Sequence, residues 1–286
     1  MALIPYTKPH ATPTQRVAHL RAKGLIVPKP NVAAKKIELI GYERLRIYFL
    51  SRRQVTVAGK PFAPNTSYKD IIRLYECDLK IREAVFVAVG QFELLLRNSM
   101  SEALSTVHGS HPYSNVAAFK NSEARLESYR MFVDVYHKSK DGRARHYRDR
   151  YGEPTLPPIW QIKEFITFGT ASRILKTLSG HSRTAIAHDF GVPKDTIFTQ
   201  WVECMVDLRN ICAHHDRLFN RNFQKQPVTL TKATGNLPTA QPKKLKAILQ
   251  CLDYMLAKRG VKSDTVAEVA AIIARYPEMV PPEAGY

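Results

Sequence analysis

Cysteine is scarce. The 286-residue chain has four, Cys77, Cys204, Cys212 and Cys251, with no C-x-x-C spacing among them. That excludes a disulfide-stapled scaffold and a zinc ribbon, and reduced thiols in a cytoplasmic protein are the expectation. Long apolar runs are missing too. No stretch of about 18 uncharged apolar residues occurs, and the start, M-A-L-I-P-Y-T-K-P-H, lacks a basic segment followed by an apolar one. A secreted or membrane-bound protein is therefore not expected. His108, His111, His137 and His146 show no metal-ligand spacing, and no helix-turn-helix spacing points to DNA. Acidic residues are in deficit: 25 Asp and Glu face 43 Lys and Arg, for a net charge of +18. Such a surplus concentrates polyanions around the protein, which favours nucleic acid as partner and predicts strong salt dependence.

What is present is concentrated in residues 201–222, W-V-E-C-M-V-D-L-R-N-I-C-A-H-H-D-R-L-F-N-R-N. Ile197, Trp201, Met205, Leu208 and Cys212 recur every three or four positions, the mark of an amphipathic helix. It runs into a polar head formed by Arg209, Asn210, His214, His215, Asp216, Arg217, Asn220 and Arg221. A solvated surface gains nothing from two adjacent imidazoles beside three guanidiniums, so this density reads as a site. On a regular helix Arg209 and His214 lie roughly 140° apart. Either the helix end unwinds near His214, or two copies of the motif meet across a two-fold axis. An imidazole titrating near neutral pH and a cation for a phosphoryl oxygen are together what cleavage of RNA by its own 2′-hydroxyl needs, without a metal or other cofactor.

R-N-I-C-A-H resembles the R-x4-H signature of the HEPN ribonuclease superfamily, and the longer L-R-N-I-C-A-H-H-D-R-L-F-N-R resembles the Abi family of bacterial abortive-infection proteins, in its AbiD/AbiF-like branch. The same order of segments continues elsewhere: K-G-L-I-V near residue 23, I-G-Y-E-R-L-R-I-Y at 40–48, Y-K-D-I-I-R-L-Y-E-C-D-L-K-I-R at 68–82, F-E-L-L-L-R-N at 92–98 and P-P-I-W-Q-I-K-E-F-I-T-F-G-T-A-S-R at 157–173. The resemblance implies a HEPN-like helical bundle, a homodimer, and an anti-phage toxin that cleaves RNA. It also implies, for some branches, restraint by a small structured non-coding RNA. Arg209 and His214 would then be catalytic and Asn210 would orient them.

The chain in order reads as all-α, a multi-helix bundle with long loops. Residues 1–50 form a helical lead-in, with a non-helical arm carrying Pro5, Pro9 and Pro13, a short helix capped by Thr14 and ended by Gly24, and one helix over 33–50. Residues 51–286 form the main domain. Its first stretch, R-R-Q-V-T-V-A-G-K-P-F, is either a small β-hairpin arm or an ordered loop. Residues 66–106 carry a long apolar stripe, and their length predicts a break or bend near Gly90. Arg97-Asn98 repeats the start of the later motif without a histidine: it is either a degenerate copy or a structural arginine paired with Glu93. A short helix is expected around 117–136, and another opening at Pro157-Pro158. Between them, residues 136–151 interleave cations with tyrosines, so Arg143, Arg145, Arg148 and Tyr147 are candidates for RNA contact, against the alternative of a solvated basic face. His215, Arg217, Asn220 and Arg221 are further RNA-binding candidates, each equally suited to holding the helix end. A loop at 222–242 follows the motif, either a strap over the site or a linker.

Three other functions compete with the ribonuclease. A non-catalytic RNA-binding or scaffold protein keeps the same core. Metal-dependent hydrolysis by His214, His215 and Asp216 is disfavoured because neighbouring helical residues diverge by about 100°. DNA binding finds no support beyond charge.

Overall fold

The computed structural model describes Pro5, Thr7 and residues 9–231 and 236–286; what is expected for the rest of the N-terminal arm and for positions 232–235 of the long loop lies outside the described residues. Among the described residues the chain is all-α, with thirteen α-helices and four isolated β-bridges but no strand. It forms two compact units, residues 1–80 with 272–280 and residues 81–271 with 281–286. The division lies within a helix, whereas the sequence reading divides the chain after residue 50.

In the first unit, α1 (Pro13–Ala22) is capped by Thr12 rather than Thr14. Its hydroxyl accepts from the Gln15 N–H, while the Gln15 side chain accepts from the Thr12 N–H. Pro13 suits the first turn, where an N–H has no helical partner. Val17 and Leu20 are buried. The single helix expected over 33–50 is two, α2 (Pro30–Ile40) and α3 (Tyr42–Ser51), because Gly41 sits between them at φ +94°. Only glycine adopts that backbone freely. Phe49 of α3 packs against Tyr42, Phe62 and Tyr68. The stretch after α3 is an ordered loop and not a β-arm. One antiparallel bridge, Arg53 to Phe62, closes it, and Val55 and Val57 stay exposed, so a second strand would have no face to bury.

Helix α4 (Tyr68–His108) belongs to the first unit up to Lys80 and to the second from Ile81. Ser67 and Asp70 cap it reciprocally. It runs through Gly90 without the expected break. A glycine inside a helix costs only about 0.5–1 kcal/mol, and burying Val85, Val89, Phe92 and Leu96 on both sides of it outweighs that several-fold at about 1.5–3 kcal/mol per side chain.

The second unit continues with α5 (Ser122–Lys138), α6 (Gly142–Arg150), α7 (Ile159–Ile162), α8 (Phe168–Thr177), α9 (Gly180–Asp189), α10 (Asp195–Ala213), α11 (Leu245–Lys258), the first turns of α12 (Thr265–Ala274), and α13 (Pro281–Ala284). The helix expected to open at Pro157 is only the short α7; α8 starts afresh at Phe168, with the Thr167 hydroxyl accepting from the Thr170 N–H. Helix α10 is the hub, packed on α8, α9 and α11. It buries Phe198, Trp201, Met205, Leu208 and Cys212, so Phe198 takes the core position that the periodicity gives to Ile197. A line of rings, Phe168–Phe92–Phe190–Phe198, with centroids 5.2–6.0 Å apart, ties α10 to α4 and α8. Among the described residues no helix forms between α10 and Leu245. That segment is pinned where it crosses Trp201, whose indole N–H donates to the Val228 carbonyl at 2.8 Å.

Candidate functional site

Helix α10 stops at Ala213, between Arg209 and His214. His214 departs from helical geometry (φ −86°, ψ 8°), and His215 takes φ +57°. The turn is closed by the Asp216 N–H donating to the Ile211 carbonyl at 2.9 Å and the His215 N–H to Cys212 at 3.1 Å. Helices often end in this left-handed turn, usually with glycine in it. Histidine there carries strain of about 1–2 kcal/mol, and such strain concentrates at functional sites.

Arg209 is held from one side. Its Nε donates to Glu93 Oε2 at 3.1 Å, its Nη2 to Oε1 at 3.4 Å, and its Nη1 to Asn210 Oδ1 at 3.1 Å. Glu93 lies on α4 and is buried. The same carboxylate also accepts from Arg97 Nη2, one turn further along α4. The arginines of the two Arg-Asn pairs therefore meet on one acid. Arg97 makes the structural pairing with Glu93, while Asn98 accepts from Lys163. With two guanidiniums on one carboxylate, the trio carries one uncompensated positive charge. Sequence reasoning pairs Glu93 with Arg97 but misses its bond to Arg209. The available signal is a lone acid beside the apolar stripe of Val89, Phe92 and Leu96.

Past the helix end lies an open cleft of about 450 Å³, whose walls include Asn210, His214, Arg217, Asn220 and Arg221. His214 is exposed. Arg217 donates to the carbonyls of Phe219 and Asn220, and Arg221 Nε to the carbonyl of Arg217 at 2.8 Å, so both cations brace the turn while facing the cleft. Two acids also line it. Asp216 stands 3.7 Å from Arg221, and Asp207 pairs with Lys225 at 2.9 Å. Arg209 is not part of the cleft wall and communicates with it through Asn210. His215 is exposed and lies outside the wall. Among the described residues no group of three or more His, Cys, Asp or Glu is placed to hold a metal ion, and no helix is long and apolar enough to cross a membrane.

The basic stretch forms α6, apart from the cleft lining. Tyr147 is buried there, with its hydroxyl donating to the Pro154 carbonyl and its ring against Tyr136. It offers no exposed face for a base. Arg148 stacks over Tyr136 and donates to the Tyr136 and Ser139 carbonyls. Arg143 pairs with Asp141, whose carboxyl it holds down at about 2, and approaches Glu164. Arg145 remains exposed.

Compared with known proteins, residues 35–220 match the profile of a family described as Abi-like protein. The match runs from α2 to the turn after α10 and takes in Glu93, Arg97, Arg209 and His214. No curated protein and no solved structure matches the chain.

Proposed function

Because the chain belongs to the Abi-like protein family, we propose that it is an endoribonuclease of the HEPN type, in the AbiD/AbiF-like branch, acting as a growth-arresting toxin in abortive infection. The observation that carries this reading is the end of α10. There Asn210 bonds to Arg209 while sharing a cleft with His214. His214 takes the proton of an RNA 2′-hydroxyl or delivers one to the leaving 5′-oxygen. The 2′-oxygen bonds to phosphorus, the bond from phosphorus to the 5′-oxygen breaks, and a 2′,3′-cyclic phosphate remains. Arg209 neutralises the phosphoryl oxygens. The spare positive charge of the Arg97–Glu93–Arg209 trio suits that task, since a phosphate can join the cluster without Glu93 leaving. Arg217 and Arg221 guide the strand, and the +18 surplus draws RNA in, both as substrate and as a structured inhibitor.

A second reading has its own support. The fork of Arg209 faces a buried acid rather than the cleft, as it would in a non-catalytic RNA-binding scaffold. One experiment separates the two: incubate a mixed RNA pool with purified protein in excess chelator, beside Arg209→Ala and His214→Ala, and identify the product ends. The ribonuclease gives cyclic-phosphate ends that fall at least ~10²-fold in either variant. Salt-sensitive binding without cleavage, unchanged in both variants, sinks it in favour of the scaffold.

A further inference from the structure

The cleft beyond α10 is lined by two kinds of chemistry. His214, Arg217 and Arg221 supply the groups that meet a phosphate. Two turns back along α10 from His214, roughly 10 Å at ~1.5 Å per residue, the wall is Asp207, joined by Asn222 and Gln224 of the following segment. That segment is held there. Lys225 pairs with Asp207 Oδ1 at 2.9 Å, and Phe223, buried between the two exposed amides, donates its N–H to the Lys243 carbonyl at 2.9 Å. A carboxylate repels every phosphate that approaches it, and a primary amide brings a donor and an acceptor but no charge. Neither suits a wall built only for a polyanion. Both suit the edge of a nucleobase. The second acid of the cleft, Asp216, differs: its side chain is 64% exposed and lies 3.7 Å from Arg221, whereas that of Asp207 is 35% exposed and fixed by its lysine.

We propose that Asp207, with Asn222 and Gln224, reads a guanine in the nucleotide beside the cleaved phosphate. The inference rests on the ribonuclease reading and names its substrate, single-stranded RNA carrying a guanine. Guanine presents two adjacent donors, N1–H and the N2 amino group, which match the two oxygens of one carboxylate as a guanidinium does. Adenine and cytosine set a ring-nitrogen acceptor beside a single amino donor, and uracil flanks its one N–H with carbonyls. Each of those three turns a lone pair towards Asp207. Lys225 uses one acceptor position of Oδ1, and a carboxylate has about four. The guanine O6 takes an N–H from the amide pair, while Ile211 and Phe223 add apolar surface for the ring. Only an unpaired base has this edge free.

Binding is measured apart from cleavage, in the His214→Ala background. Fluorescence anisotropy compares an all-uridine 12-mer with the same strand carrying one internal guanine, adenine, cytosine or inosine. Circular dichroism confirms that each variant is folded. The guanine strand should bind about 10-fold more tightly than the other three natural ones, and inosine, which lacks only the N2 amino group, should lose most of that gain. Asp207→Asn should abolish the preference without weakening the all-uridine strand, because an amide nitrogen then opposes an N–H. Lys225→Ala breaks the same ion pair but keeps the reader, so it should retain the preference. Equal binding of all the strands overturns the proposal. So does a preference lost as fully in Lys225→Ala as in Asp207→Asn, which would leave Asp207 only a fastening for the loop. Wild-type protein is then given the same strands in excess chelator. Cutting indifferent to the base removes the guanine subsite and keeps the ribonuclease; a guanine preference in binding with every strand left uncut keeps the subsite and removes the ribonuclease.

Discussion

Replacing Glu93 by alanine should destabilise the protein more than removing an arginine that it holds. The Glu93 side chain is 10% exposed, Arg97 16% and Arg209 26%. Taking away the acid strands two largely desolvated guanidiniums, and breaking a buried pair from one side costs typically ~3–5 kcal/mol. Water reaching the more open Arg209 reduces this, leaving about 3 kcal/mol. Arg209→Ala removes charge-assisted bonds, but Glu93 keeps Arg97, so the loss is about 1 kcal/mol. The double variant Glu93→Ala/Arg209→Ala strands only one cation and should be more stable than Glu93→Ala alone. Urea unfolding followed by far-UV circular dichroism gives all three values as a double-mutant cycle. Equal losses in the two single variants, or strict additivity in the double, would refute the shared-carboxylate reasoning and return the cluster to independent pairs.

Two further outcomes are expected. Trp201→Phe leaves the Val228 carbonyl without its indole donor; we expect a loss of about 1–2 kcal/mol and faster limited proteolysis between residues 222 and 231, and an unchanged digestion pattern would count against the pin. Burial pushes the Cys77 and Cys204 thiols from the ordinary 9.0 up to about 12, so native protein at pH 8 should not react with a disulfide reagent until unfolded. Because the folded value is the higher one, the stability that these thiols contribute is complete below pH 9 and fades towards pH 12, which urea midpoints across that window would reveal.

Much of this is legible in the sequence alone. The apolar stripe of α10 stands out because a hub helix needs a wide buried face, and the abrupt crowd of His, Arg and Asn marks where that face ends. The bond from Glu93 to Arg209 was not legible, since the residues are 116 positions apart and local spacing is silent on such pairs. Arg97 could be weighed because its partner is one turn away. The tyrosines of 136–151 look like stacking platforms in sequence, yet Tyr147 is buried. A tyrosine hydroxyl that finds a backbone carbonyl is content inside, and the pattern of cations between rings does not reveal it. Gly41 and Gly90 mark the same limit. One breaks a helix because its φ is positive, while the other is carried through by the burial around it, and only the fold distinguishes them.

The turn that shapes the cleft is fastened from a distant part of the chain. Asn220 takes φ +49°, and its N–H donates to the carbonyl of Glu283 at 2.6 Å. On a ribosome adding roughly 5–20 residues per second, Glu283 is made some 3–13 s after Asn220, so the nascent chain carries the whole motif for seconds before the last clasp of its cleft exists. For a protein whose proposed activity is directed at RNA, the machinery that makes it is surrounded by potential substrate, and the order of synthesis itself delays completion of the site.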